Sequence, residues 1–264
     1  MCGQTGVIYG PKKRQSEEQT YLKWLFIHLL LLSERRGPFA TGLAWLKKDG
    51  SHCIFKRPMR AVEFVKMKQF VDAIAYVDNS TTWLAGHTRW PTRGSIERIE
   101  NAHPIRSGYV LGTHNGTIAN ADELFKEFDL PRFAEVDSEI IFRMTDADMK
   151  NGRIDTDVLK SRLALCSGQI SAVMASKLDP QIVVVVKGNM PLELRYHPEH
   201  RVVVYASDST YLNTALSREK GWRRIAAKPM SIMTFHIDNL PNFESVPFRL
   251  AGVSVANFER FTGR

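Results

Sequence analysis

Five short segments in the second half of the chain each predict a β-strand, and this pattern constrains the fold most. All five are rich in β-branched or aromatic residues, and helix-like segments and turns separate them. The strand-like segments are 170–176, 182–187, 194–197, 202–207 and 231–237, and the helix-like segments are 156–165 and 210–217. A chain of this kind must bury its sheet faces against helices or against a second sheet.

The first half adds strands and helices without an intervening linker. Asp49-Gly50, a dipeptide favoured in tight hairpins, joins strand-like segments at 41–47 and 52–57. Further strands are predicted at 3–9, 83–88 and 109–114, helices at 21–33 and 60–76, and capping boxes at Ser16/Gln19 and Asn120/Glu123. We therefore predict one α+β domain over 1–264, with its core at about 2–240 and an extension at 241–264.

Composition excludes several classes of protein. Of the 264 residues, 44% are hydrophobic and 24% charged, which is typical of a folded globular chain and not of a disordered one. The longest apolar stretch, 24–32, is far shorter than the roughly 20 residues that span a bilayer, and the start lacks a secretory signal. We expect a cytoplasmic protein with no membrane partner. The net charge of +8 permits an anionic partner such as nucleic acid without identifying one.

The three cysteines show no paired spacing, so we predict no disulfide framework and no metal site. No phosphate-binding loop is present, and no cofactor is predicted. Removal of Met1 would leave Cys2 with its thiol and a free α-amine on one residue. An α-amine with a pKa of about 7.7 to 8.0 can take the thiol proton and later return it to a leaving group. Cys53 and Cys166 are expected to be buried and inert.

Several short motifs follow Cys2-Gly3 in a fixed order. They are 36–42 (Arg-Gly-Pro-Phe-Ala-Thr-Gly), 87–94 (His-Thr-Arg-Trp-Pro-Thr-Arg-Gly), 101–104 (Asn-Ala-His-Pro), 114–116 (His-Asn-Gly), 137–139 (Asp-Ser-Glu) and 206–208 (Ala-Ser-Asp). The ordered set resembles the class II glutamine amidotransferases, most of all the glutaminase half of glucosamine-6-phosphate synthase. The resemblance implies an N-terminal-nucleophile hydrolase fold, an αββα four-layer sandwich with two stacked, largely antiparallel sheets.

The resemblance also implies how glutamine is bound. Arg89 matches the guanidinium that clamps the α-carboxylate, a task suited to its paired N–H donors; a surface arginine is the alternative. Asp137 matches the carboxylate that meets the α-ammonium, and its alternative is a helix N-cap. Asn115 and Gly116 match the donors of the oxyanion hole, although the pair is also an ordinary strand-ending turn.

Residues 89–97 correspond to the loop that closes over glutamine in this family, with Trp90 and Thr92 at positions that line it. Two residues depart from the pattern: Pro91 replaces a small residue and Arg93 a histidine, which puts loop closure in doubt. His103 and His114 match family histidines that we expect to be architectural. Arg36 is expected to position the Cys2 region.

These matches predict a glutaminase in which the Cys2 thiolate forms a glutamyl thioester and releases ammonia. The chain stops where fused relatives begin a synthase domain, so we expect a stand-alone subunit that serves a separate acceptor enzyme. An idle amidotransferase-like module that binds protein or nucleic acid is the alternative, and an acylase for another amide is a third. The extension at 241–264, with phenylalanines at 243, 248, 258 and 261, is expected to pack on its own domain or to dock the partner.

Overall fold

Strand β1 (Gly3–Tyr9) lies in the middle of a seven-stranded antiparallel sheet in the computed structural model, which describes residues 2–252. The other strands of this sheet are β2 (Ala40–Lys47), β3 (His52–Arg57), β4 (Thr81–Arg89), β9 (Glu193–His197), β10 (Val202–Ala206) and β11 (Arg223–Ile225), in the order β11-β9-β10-β1-β4-β2-β3. The second sheet has the order β13-β12-β8-β7-β6-β5. Its strands are β5 (Ile105–Ser107), β6 (Val110–Ile118), β7 (Gly168–Ser176), β8 (Asp179–Lys187), β12 (Ser231–His236) and β13 (Glu244–Pro247).

The described helices cover the two outer faces of the sheets. They are α1 (Ser16–Ser33), α2 (Ala61–Phe64), α3 (Lys68–Ala75), α4 (Ala121–Glu127), α5 (Glu139–Ala147), α6 (Thr156–Leu163) and α7 (Ser209–Ala215). One apolar cluster joins α1, α2, α3 and α7 to the first sheet, a second joins α4, α5 and α6 to the other sheet, and a third lies between the sheets. This is the expected αββα sandwich. None of the helices within 2–252 is long and apolar enough to cross a bilayer.

The strand predictions are confirmed to within a few residues, because alternation and β-branching report burial in a sheet directly. The hairpin prediction is also confirmed: Gly50 follows β2 with a φ of 81°, a conformation that glycine adopts without strain. The predicted helix at 60–76 is wrong, since the chain breaks between α2 and α3. Phe64 and Phe70 are both fully buried, and on one straight helix their side chains would diverge by about 120°.

The capping-box predictions are wrong. Helix α1 has Gln15 at its N-cap, and the Gln15 side chain makes no capping bond. The Asn120 side chain donates to Leu165 O and accepts the Ser167 N–H, so it does not cap α4. In the extension, β13 pairs with β12 and Phe248 is buried, so the described part packs on its own domain. Residues 253–264, with Phe258 and Phe261, lie outside the described residues.

Candidate active site

Cys2 precedes the first residue of β1 and lies against the end of β4. Its Sγ accepts the Trp90 N–H at 3.3 Å and lies 3.4 Å from the Trp90 carbonyl. Gly3 is opposite Thr88, and a Cβ at Gly3 would stand 2.5 Å from Thr88 Oγ1 and 2.6 Å from Ser33 O. Only a glycine therefore lets β1 approach α1 and β4 closely enough to place the thiol there.

Burial raises the pKa of the Cys2 thiol above its usual value. The Trp90 N–H and the charges of Arg89 and Arg36 act in the opposite direction, because each favours the thiolate. Arg36 also donates from Nε to the Cys2 carbonyl at 2.8 Å, which is the positioning contact expected from the sequence. A thiol in this environment needs a base to become a nucleophile.

The side chain of Asn115 is fixed from two sides. His87 donates from Nε2 to Asn115 Oδ1 at 3.2 Å, and Asn115 Nδ2 donates to Ser207 Oγ at 2.8 Å. Ser207 Oγ also bonds the N–H and the C=O of Gln4, two residues after Cys2. One continuous set of hydrogen bonds thus connects Asn115 to the strand that carries Cys2.

His87 and Ser207 were not singled out from the sequence, although both stand inside quoted motifs. His87 lies 28 positions before Asn115, and Ser207 lies 92 positions after it. Only the fold therefore reveals that both bond the Asn115 side chain. Burial lowers the pKa of His87 to about 3. The ring is therefore neutral at physiological pH and keeps its one proton on Nε2, facing Asn115.

Gly116 has a φ of 138°, and a Cβ there would lie 2.0 Å from Gln169 O. The position therefore excludes side chains. Asn115 and Gly116 lie within β6, so the alternative of a strand-ending turn is wrong. The neighbouring His114 is buried, accepts from Ser138 Oγ at 2.8 Å and donates to Gln169 O at 3.2 Å. Both of its nitrogens are occupied, which agrees with an architectural histidine.

His103 lies beside His87, with ring centroids 4.3 Å apart. It is buried, and neither ring nitrogen has a hydrogen-bond partner within the described residues. Burial, together with the nearby His87, holds its pKa well below the usual value. The ring is thus a neutral packing group behind Asn115.

The guanidinium of Arg89 is buried beneath the following loop. It donates to the carbonyls of Arg93 at 2.6 Å, Gly94 at 3.0 Å and Ser95 at 3.2 Å. These bonds engage three of the five N–H donors of the side chain and leave two for a ligand. Arg89 is accordingly a buried residue of the site and not the surface arginine of the alternative interpretation.

Asp137 does not cap helix α5, since Ser138 occupies the N-cap and no side chain caps that helix. Its Oδ2 instead accepts the Ile118 N–H at 2.5 Å, at the end of β6 and two residues after Gly116. The carboxylate is buried, and its charge reaches both Arg89 and His114. A carboxylate and a guanidinium thus face the same region.

The loop after β4 is tied down by ion pairs at its far end. Arg93 makes two contacts with the Asp122 carboxylate, at 2.7 and 2.8 Å, at the start of α4. Glu135 accepts the Ser95 N–H at 2.9 Å. Trp90 is about half exposed and meets Phe39 edge-on, with ring centroids 5.1 Å apart.

Two of the loop residues behave differently from Arg93. Thr92 is exposed on the loop and Pro91 is half-buried, and neither side chain engages the Cys2 group of residues. Cys166 is buried as expected, and burial raises its pKa to about 12. Cys53 on β3 is only half-buried, so the expectation that it is buried is wrong.

The comparisons with known proteins agree with this architecture, although no known family model matches the chain. Glutamine–fructose-6-phosphate aminotransferase from Staphylococcus epidermidis is 31% identical over 196 residues, which is 73% of this chain and 30% of that protein. The 7-cyano-7-deazaguanine synthase of Sulfolobus acidocaldarius is 26% identical over 217 residues, 81% of this chain and 44% of that protein. The chain thus spans less than half the length of these relatives.

Among solved structures, glutamine phosphoribosylpyrophosphate amidotransferase from B. subtilis matches 94% of this chain and 49% of its own, with a TM-score of 0.68 and 17% identity. A glutamine aminotransferase class-II domain protein from Silicibacter pomeroyi matches 93% of this chain and 99% of its own, with a TM-score of 0.56 and 12% identity. The shared two-sheet architecture defines the fold of the N-terminal-nucleophile hydrolases. Within that class, the chain is a class II glutamine amidotransferase domain.

Proposed function

We propose that this chain hydrolyses the side-chain amide of glutamine with Cys2 as nucleophile and supplies the ammonia to an acceptor enzyme. The observation that carries the proposal is the hydrogen-bonded path from Asn115 through Ser207 to Gln4, two residues after Cys2. It fixes an amide donor relative to a nucleophile, which is what a tetrahedral oxyanion requires.

The chemistry begins with removal of Met1, which leaves the α-amine and thiol of Cys2 on one residue. The amine takes the thiol proton, and Sγ attacks the amide carbon of glutamine to give a tetrahedral oxyanion. The C–N bond then breaks, the proton passes to the departing nitrogen, and ammonia leaves a γ-glutamyl thioester. Water adds to the thioester, the C–S bond breaks, and glutamate and the free thiol are regenerated.

Arg89 and Asp137 would hold the two α groups of the substrate. Two N–H donors of Arg89 remain for the α-carboxylate, and the carboxylate of Asp137 suits the α-ammonium. Asn115 Nδ2 and the Gly116 N–H would stabilise the oxyanion. Trp90 and Thr92 belong to the covering loop, and His103 and His114 support the site from behind.

The first test is the intact mass of the purified protein before and after treatment with a diazo-ketone glutamine analogue. We expect loss of Met1 and one adduct, absent in Cys2→Ala and retained in the matched thiol control Cys53→Ala. A mature Cys2 terminus with no adduct, together with no glutaminase activity, would overturn the proposal in favour of an idle binding module. An adduct that survives in Cys2→Ala would assign the chemistry to another residue.

We further propose that the acceptor enzyme is a separate polypeptide. The homologous region makes up only about a third of the length of the glutamine–fructose-6-phosphate relatives, which leaves room in those proteins for the aminotransferase reaction that their name states. The test is affinity purification of the chain from its own cells, followed by glutamine-dependent and ammonia-dependent assays of the captured synthase. Equal activity with glutamine in the presence and absence of the chain would contradict a donor role.

A further inference from the structure

A second cluster of chemically active side chains lies at the other end of the central sheet. His197, the last residue of β9, pairs with Val202 of β10, which pairs with Tyr9 at the end of β1. Cys2 stands seven residues away along β1, or roughly 23 Å at about 3.3 Å per residue. The cluster is therefore not part of the glutamine site.

His197, His200 and Glu219 meet in this cluster. Each offers one ligand atom, and the three atoms lie within 4.8 Å of one another. His200 Nε2 lies 2.8 Å from Glu219 Oε1, and the two imidazole centroids are 4.3 Å apart. A zinc ion about 2.1 Å from each ligand needs ligand atoms roughly 3.4 Å apart, so small side-chain rotations suffice to admit one.

The surroundings of both rings resemble those of metal-binding histidines. Such a histidine usually donates its other ring N–H to a carboxylate or a backbone carbonyl. His200 donates from Nδ1 to Glu18 Oε1 at 2.8 Å, and His197 donates from Nε2 to Lys220 O at 2.9 Å. The candidate ligand atoms are then His200 Nε2 and His197 Nδ1. His197 Nδ1 accepts a long bond of 3.3 Å from the His200 backbone N–H, which an ion would displace.

The carboxylate is oriented in the same way. Glu219 Oε2 accepts the Trp222 Nε1–H at 3.0 Å and the hydroxyl of Tyr21, so Oε1 is left to face His200. Gly221 lets the chain pass close to the ring of His197, because a Cβ there would lie 2.7 Å from Nε2. Its φ of 100° suits glycine.

We propose that His197, His200 and Glu219 form a zinc site with one open coordination position. Two imidazoles and one carboxylate are a ligand set that zinc accepts. Glu219 also lines a surface cavity beside Tyr21 and Trp24, which gives the ion a path from solvent.

The competing explanation uses the same contacts without a metal. A doubly protonated His200 could donate to both Glu18 and Glu219 and make a purely ionic bridge. Sequence spacing alone predicts no metal site here, since Glu219 follows His200 by 19 residues. The two explanations differ in whether the folded protein takes up one equivalent of zinc.

The test is calorimetric titration of Zn²⁺ into tag-free protein, on a Cys2→Ser background that removes the nucleophilic thiol as a competing ligand. We expect one equivalent bound, with affinity falling at least 100-fold in His200→Ala and in Glu219→Gln. Glu18→Gln should weaken binding about 10- to 100-fold, as expected for a residue that orients a ligand. His236→Ala removes an exposed histidine elsewhere and should leave the affinity unchanged.

Co²⁺ substitution supplies an independent readout, because its visible spectrum reports a four-coordinate site. Thermal unfolding of the Cys2→Ser protein should shift upward with Zn²⁺, and this shift should vanish in Glu219→Gln, whose amide keeps the size of the side chain. Absence of one-to-one binding would overturn the proposal and support the ionic bridge. Binding that survives in both His200→Ala and Glu219→Gln would overturn it as well.

Discussion

The space between the two sheets is polar at one end and apolar at the other. Near Cys2, Gln4 is paired with His87 in one sheet. At the same level of the other sheet, Asn115 is paired with Ser171. Four residues further along these strands, the corresponding pairs are Ile8 with Trp83 and Leu111 with Ala175, all fully buried. The same two sheets therefore enclose both the polar end and the apolar end.

Hydrogen bonding of buried polar groups is less complete at the polar end than at the apolar end. Within the described residues, the Gln4 side-chain amide, His87 Nδ1, both nitrogens of His103 and Ser171 Oγ are buried without a hydrogen-bond partner. Unpaired buried polar groups each cost free energy of folding, commonly 1 to 3 kcal/mol. The apolar end therefore stabilises the fold. The polar end lowers the free energy of unfolding, and its groups are held in place around Asn115.

Removal of a large side chain from the apolar end should have the largest effect. Trp83→Ala leaves a cavity and removes the Trp83 Nε1–H bond to Tyr205 Oη at 3.1 Å. We expect a loss of about 3 to 5 kcal/mol in the free energy of unfolding, measured by urea denaturation. The turnover number of the folded fraction should change little. A large fall in the turnover number would contradict the assignment of stability to the apolar end and of activity to the polar end.

Asn115→Ala should show the reverse behaviour. We expect the turnover number for glutamine hydrolysis to fall about 100- to 1,000-fold, because one oxyanion donor is lost. The free energy of unfolding should change far less than in Trp83→Ala. A rate within a few-fold of the original would remove Asn115 from the proposed oxyanion site.

The buried histidines make the polar end sensitive to acid. Burial depresses the pKa of His87 to about 3 and holds that of His103 well below its usual value, whereas an unfolded chain protonates histidine near pH 6.5. Below that pH the unfolded state binds more protons, so stability is present above about 6.5 and is lost as the pH falls toward 3. Each histidine should contribute a slope of up to about 1.4 kcal/mol per pH unit.

Urea denaturation at several pH values between 7 and 4 measures this slope. His103→Phe should flatten it, because one of the two groups no longer takes up a proton on unfolding. His236→Phe, which replaces an exposed histidine, serves as the control and should leave it unchanged. An unaltered slope in His103→Phe would mean that other groups dominate the acid sensitivity.

The loop over the polar end should show the smallest effect. Arg93→Ala removes the exposed ion pair with Asp122, and such pairs contribute about 0.2 to 1 kcal/mol. We expect the KM for glutamine to rise by no more than about fivefold, and the effect to disappear in an Asp122→Ala background. Lys68→Ala breaks an exposed pair outside the loop and should leave KM unchanged.

The sequence predicted the framework well because strand periodicity and turn dipeptides are local signals. Strand β1 was predicted residue for residue, and β12 ends one residue before the predicted limit. The two helices at 61–75 were missed because their break serves the packing of Phe64 and Phe70, which depends on the neighbouring sheet. The Asn120 cap failed for the same reason, since its side chain bonds residues from a distant loop.

For the site, the ordered motifs singled out three polar residues, Arg89, Asn115 and Asp137, that are all buried in the structure. Their roles toward glutamine stay predictions. The sequence offered no signal for the action of His87 and Ser207 on Asn115, or for the meeting of His200 with Glu219. Each of these contacts joins residues that are distant in the sequence and meet only in the folded protein.

The position of β1 has a consequence for synthesis of the protein. Thr5 lies opposite Ala206, about 200 residues later, and Gln4 is bonded to Ser207. Strand β1 can complete its pairing only after β10, about 200 residues later, has been synthesised, and pairing over such distances is slow. A nascent chain interrupted before residue 207 would carry the thiol without the bonds that fix Asn115. The hydrogen bonds that connect Asn115 to β1 therefore form only after residue 207 has been synthesised.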